Sequence, residues 1–115
     1  MAKLLNFEVF GEVNQKVVII GHGLFGSLRN WRTIARNLAQ IGYQVVVVDM
    51  RNHGLSFWDD SHSYEDLACD LRNVIREFGV KAHVIGHSMG GKAAMVLSLL
   101  HPECVESLIV VDIAP

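Results

Sequence analysis

The chain has 115 residues, half of them hydrophobic and 19% charged, with a formal net charge of -2 and a pI near 6.3. Such a length holds one domain at most, and the lack of a basic excess or any Lys/Arg block argues against nucleic-acid binding. A mean hydropathy of +0.28 is apolar for a small domain and implies surface made for a partner outside this chain.

In chain order, Leu4 to Phe10 alternates loosely and suits an N-terminal edge strand closed by the turn signal at Gly11 to Asn14. Val17 to Ile20 is a fully apolar strand. Trp31, Ile34, Ala35, Leu38 and Ile41 then recur at helical spacing, with Asn30 as the expected N-cap and Gly42 as the stop. Val45 to Val48 is a second apolar strand, ending in Asp49. After a polar loop, Ser63-Tyr64-Glu65-Asp66 reads as a capping box, and Leu67, Leu71, Val74, Ile75 and Phe78 form an apolar helix face ending at Gly79. A strand at Ala82 to Ile85, a helix from Met89 to His101 and a strand at Leu108 to Val111 complete the series. Apolar strands alternating with helices imply an α/β protein: a mostly parallel sheet with helices on both faces. The chain has no repeats, linkers or low-complexity segments, so it reads as part of a single domain.

Cys69 and Cys104 lie far apart without a C-x-x-C pattern, as free thiols in a reducing compartment do. Met1 to Glu8 lacks the apolar stretch of a signal peptide, and no run approaches a membrane span, so the expectation is a cytoplasmic protein without membrane contact.

Gly86-His87-Ser88-Met89-Gly90-Gly91 is a G-x-S-x-G string between an apolar strand and an apolar helix. A serine at such a turn is forced outward on a strained backbone, and its neighbours two residues away must be tiny to avoid collision. The helix start also aims backbone N–H groups over the serine, where an attacked carbonyl gains negative charge. Ser88 is therefore the candidate nucleophile, with Met89 N–H as one oxyanion donor. A rival reading exists, because Gly21-His22-Gly23-Leu24-Phe25-Gly26 satisfies G-x-G-x-x-G after a strand and Asp49 ends the next one, as in a dinucleotide-binding fold. In that fold the helix opens within the glycines, whereas here helical periodicity starts only near Trp31 and leaves Ser27 to Asn30 as extra loop.

Four segments in order, His22 to Ser27, Asp49 to Ser56, Gly86 to Lys92 and Asp112 to Pro115, resemble the α/β-hydrolases and, more narrowly, the small bacterial esterases of the YbfF type. The resemblance runs from Val17 to the last residue. It implies Ser88 as nucleophile, oxyanion donors at Met89 and at Leu24 or Phe25, and Asp112 as the catalytic acid. It implies hydrolysis of a small acyl ester or thioester through an acyl-enzyme, with no metal or organic cofactor. His22 is expected to brace its loop, and Asp49 to shape the Arg51 to Gly54 turn. His53, on a polar loop, and His87, whose side chain points away from the serine, are discounted as bases. In this family the histidine follows the acid, and the cap also comes later. The chain is thus expected to be the N-terminal part of one α/β-hydrolase domain, residues 1–115, without cap or C-terminal strands. Alone it should be inactive and prone to self-association, and the alternative expectation is a catalytically incomplete fragment that acts only with a partner chain.

Overall fold

The computed structural model describes residues 3–13 and 15–111. Its strands are β1 (Phe7–Phe10), β2 (Lys16–Gly21), β3 (Tyr43–Val48), β4 (Ala82–His87) and β5 (Val105–Val111), side by side in the order β1-β3-β2-β4-β5. β1 runs antiparallel to β3, and the remaining pairings are parallel. The uninterrupted apolar runs of β2 and β3 can be buried only if both faces are covered, which puts them inside the sheet.

Alternate residues of these strands feed two cores. On one face Val17, Ile19, Val46 and Val48 meet Leu67 and Leu71 of α2 (Tyr64–Phe78) and Ala93 and Leu97 of α3 (Met89–Leu100). On the other, Val18, Ile20, Val45 and Val47 meet Leu28 and Ala35, the latter on α1 (Arg32–Gln40). The capping box of α2 forms as read, with Asp66 N–H donating to Ser63 Oγ at 3.1 Å, and the helix ends at Gly79 with φ 71°. Among the described residues no helix is long and apolar enough to cross a membrane.

Two local expectations are corrected. Asn30 is not the N-cap of α1: Ser27 caps a 3-10 turn over Leu28–Trp31, Asn30 Oδ1 accepts from Ser27 N–H at 3.0 Å, and α1 follows from Arg32. The segment read as extra loop is therefore mostly helical turn, with Asn30 in place of the usual Glu or Gln at the third position of the box. β5 starts at Val105 rather than Leu108, because Glu106 and Ser107 face outward and break the apolar pattern. α1 covers β2 and β3 but leaves the same face of β4 and β5 open: Ile85 is half-buried and Ile109 is 53% exposed.

The carboxyl ends of the parallel strands share one edge of the sheet, with Gly21 paired to Gly86 and His87 to Val111. In open α/β sheets this is the edge at which ligands collect.

Candidate active site

Ser88 stands between β4 and α3 with φ 52° and ψ -113°. A side chain at positive φ costs about 1–3 kcal/mol and persists only where its surroundings enforce it. Here they do. Ser88 N–H donates to Val111 O at 3.2 Å, Lys92 N–H donates to Ser88 O at 3.0 Å, and Gly90 N–H donates to His22 O at 3.1 Å. The backbones approach so closely that a Cβ on Gly86 would lie 2.6 Å from Gly91 Cα, and one on Gly90 would lie 2.7 Å from His22 O. Glycine at both positions lets the turn close against β2. Ser88 is half-buried, and among the described residues its Oγ has no hydrogen-bond partner. Met89 opens α3, so its N–H has no acceptor within the helix.

The loop after β2 forms the facing wall. A Cβ on Gly23 would lie 3.4 Å from Ser88 Cβ, so the loop backbone passes directly beside the serine. His22, fully buried, accepts Met50 N–H at Nε2 (2.9 Å), which leaves the proton on Nδ1 to be donated to Gly23 O at 2.7 Å. Burial pushes this imidazole below its ordinary value against the opposing effect of the Gly23 carbonyl. Of the two amides considered on this loop, Phe25 N–H donates to His53 Nε2 at 3.1 Å, whereas Leu24 N–H has no partner among the described residues. The Phe25 backbone has φ 63°, and its ring is 92% exposed. Ser88, Met89 and the 23–25 backbone are thus brought together. Beside them Leu24, Phe25, Trp31, Ile34 and His87 line a cleft of about 310 Å³.

A buried polar frame supports these loops. Burial alone would raise the Asp49 carboxyl, but N–H bonds from Leu28 (2.9 Å) and Leu55 (3.0 Å) and the Asn6 amide (2.9 Å) hold it below the usual carboxylate range. Asp49 therefore ties the turn after β3 to the start of the 3-10 turn and to the chain before β1. Arg51 reaches α2, pairing through Nε and Nη2 with Asp70 at 2.6 and 2.9 Å and through Nη1 with Ser61 O at 3.0 Å. The Asp70 bond raises the Arg51 guanidinium further above its already high value. His53 lies on its loop as read, but it is buried, with Nδ1 on Arg51 O at 2.9 Å.

Five of the six histidines meet partners other than Ser88. His22 and His53 have both ring nitrogens engaged. His62 meets Asn52, His83 meets Ser107 far down β4, and His101 lies beside Glu103 at the end of α3. The His87 ring packs against Trp31 with centroids 5.9 Å apart. Asp112 falls outside the described residues. Among the described residues no cluster of three or more His, Cys, Asp or Glu side chains is arranged to hold a metal ion. The 3-10 turn and helix after the Gly21–Gly26 string begin beyond its glycines, unlike a dinucleotide loop. Asn30 and Trp31 in the cleft, and the Arg51–Asp70 pair, went unread in the sequence. Only the Ser27-x-x-Asn30 spacing offered a local signal for the first of these.

A family model described as alpha/beta hydrolase fold matches residues 16–115. Esterase YbfF of Escherichia coli K12 is 44% identical over 103 residues, covering 89% of this chain and 40% of its own length. The sn-1-specific diacylglycerol lipase ABHD11 of Mus musculus is 43% identical over 107 residues, covering 91% of this chain and 35% of its own. Among solved structures, a marine microorganism esterase superposes with a TM-score of 0.92 at 45% identity, over 99% of this chain and 43% of that one. The chain spans about two fifths of the length of the curated relatives it matches. With the sheet order, the serine turn and a family match over residues 16–115 in agreement, the chain belongs to the alpha/beta hydrolase fold family.

Proposed function

We propose that this chain supplies the nucleophile and the oxyanion-binding part of a serine esterase, as the N-terminal portion of one catalytic domain. The observation that carries the reading is Ser88 itself, held at φ 52° by its neighbours at the start of α3, its hydroxyl without a partner among the described residues. Ser88 Oγ attacks the acyl carbonyl, and the oxygen that gains charge takes hydrogen bonds from Met89 N–H and from the 23–25 loop. The alcohol departs, and water then releases the acyl group from Ser88. The proton leaving Ser88 needs a base. His22, His53, His62, His83 and His101 meet partners elsewhere and the His87 ring packs on Trp31, so the base is placed outside the described residues. Asp112, next after Val111, is the proposed acid, supported by the bond from Ser88 N–H to Val111 O.

The substrate class follows from the walls of the cleft, where Leu24, Phe25, Trp31 and Ile34 offer apolar contact beside the polar Asn30 and His87. A neutral acyl ester fits this lining, and esterase and lipase are the printed activities of the relatives. A thioester presents the same carbonyl to the same groups. Two free thiols, Cys69 half-buried and Cys104 buried, support work in a reducing compartment such as the cytoplasm.

A chimera tests this reading: residues 1–115 joined to the remaining part of the 45%-identical marine esterase, assayed on short p-nitrophenyl esters. Turnover is expected, and Ser88→Ala should reduce it on the order of 10⁴–10⁶-fold, since nucleophile and base act as a unit. Asp112→Asn should cost on the order of 10³–10⁴-fold without loss of folding. Unchanged turnover in Ser88→Ala would overturn the nucleophile, and in Asp112→Asn the acid.

A further inference from the structure

Two amides of the 22–26 loop lie near the serine, and the hydrogen bonds distinguish them. Phe25 N–H donates to His53 Nε2 at 3.1 Å, so it is already satisfied; Leu24 N–H has no partner among the described residues. His53 can accept at Nε2 only if its proton sits on Nδ1, and Arg51 O at 2.9 Å takes that proton. Its ring also packs edge-on against His22, centroids 5.1 Å apart, and His22 in turn bonds Gly23 O and Met50 N–H. The two imidazoles therefore join the loop after β2 to the loop after β3, one anchoring the carbonyl of Gly23 and the other the amide of Phe25. Leu24 lies between the anchors. Phe25 at φ 63° is the third residue of the turn closed by Gly26 N–H to Gly23 O at 3.0 Å, and with its ring exposed that bond and the His53 bond hold its conformation.

We infer that His53 is a positioning residue for the oxyanion site: by accepting Phe25 N–H it takes that amide out of play and fixes the loop so that Leu24 N–H, with Met89 N–H, receives the oxyanion. The inference rests on the esterase reading of Ser88 and assigns which loop amide serves it.

The test uses the 115-residue chain, isotopically labelled for NMR, before and after reaction with diethyl p-nitrophenyl phosphate in imidazole buffer, which supplies a diffusible base. Adduct at Ser88 places a phosphoryl oxygen where the oxyanion would form. The inference expects the Leu24 and Met89 amide signals to shift on adduct formation while Phe25 stays in place, and expects a scalar coupling across the hydrogen bond from Phe25 N–H to His53 Nε2. His53→Phe, which keeps an aromatic ring without an acceptor, should form adduct about tenfold more slowly. His53→Gln, whose side-chain oxygen can accept the same amide, should recover most of that loss, which a purely structural role for the imidazole would not permit. A Phe25 amide that shifts with the adduct while Leu24 does not would overturn the assignment, as would equal rates in all three proteins. If no adduct forms at Ser88 although the Phe25–His53 coupling is present, the esterase reading fails and the inference about the oxyanion falls with it. If adduct forms normally but that coupling is absent, the esterase reading stands and the positioning role is refuted.

Discussion

Ser88, His22 and Asp49 show how few side chains fix the site, and each carries a distinct physical cost. His22 is held neutral by burial, so the unfolded chain takes up the extra proton more readily than the fold does. The stability its neutral ring contributes is therefore complete above about pH 6.5 and is lost as the pH falls toward its depressed value. Urea unfolding at pH 8 and pH 5.5 should show a lower midpoint at the acid pH. Replacing His22 by Gln should flatten that difference while lowering both midpoints. Asp49 acts in the same direction at lower pH, its contribution being present above about pH 4 and lost as the pH falls through its depressed value. Asp49→Asn turns an acceptor toward the Leu28 and Leu55 amides into a partial donor and is expected to cost about 1–3 kcal/mol for each N–H left unsatisfied, read from denaturant midpoints. These two roles were legible in the sequence, since Asp49 ends an apolar strand just before a polar turn and the resemblance points to His22 as a brace for its loop. The His53–Phe25 bond was not, since it joins residues 28 apart through a turn whose shape depends on Asp49.

At the scale of elements, the loop between β3 and α2 is long and polar, yet it is held by one buried ion pair, Arg51 with Asp70. Removing one partner leaves the other charge buried, so Asp70→Ala should destabilise by about 3–5 kcal/mol in equilibrium unfolding. Replacing both with apolar residues, Arg51→Met with Asp70→Leu, should recover most of that loss, and a double mutant as unstable as the single one would contradict this. Regular elements were legible wherever an apolar period ran unbroken, as in β2, β3 and α2 with its Ser63 cap. They were misjudged where polar residues interrupted the period. Glu106 and Ser107 hid the start of β5, and the Asn at the third position of the Ser27 box hid the 3-10 turn. The glycines around Ser88 were read correctly because a close backbone approach admits no other residue. Gly90→Ala, forcing a Cβ against His22 O and the end of β2, should push α3 from the sheet and cost about 1–3 kcal/mol.

For the whole molecule, the two faces of the sheet are unequally covered. α2 and α3 close one face, while α1 on the other leaves Ile109 and the half-buried Ile85 uncovered. Leu99 on α3 is also 81% exposed. Apolar surface beside the open edge of β5 favours association between copies, so gel filtration should show a species larger than 12.8 kDa. The fold class was legible from the alternation of strands and helices, and the position of the site from the strand ends. The uneven covering was not, because an apolar strand looks the same in sequence whether or not a helix lies over it.

The central claim is that Ser88 is a nucleophile whose base lies outside the described residues. Its most direct measurement is fluorophosphonate labelling of the chain, followed by intact mass and peptide mapping, with and without added imidazole. The account predicts slow labelling confined to Ser88, clear acceleration by imidazole, and no label in Ser88→Ala. Rapid stoichiometric labelling of Ser88 without imidazole would place a working base among the six histidines and contradict it, and equal labelling of Ser88→Ala would contradict the nucleophile itself.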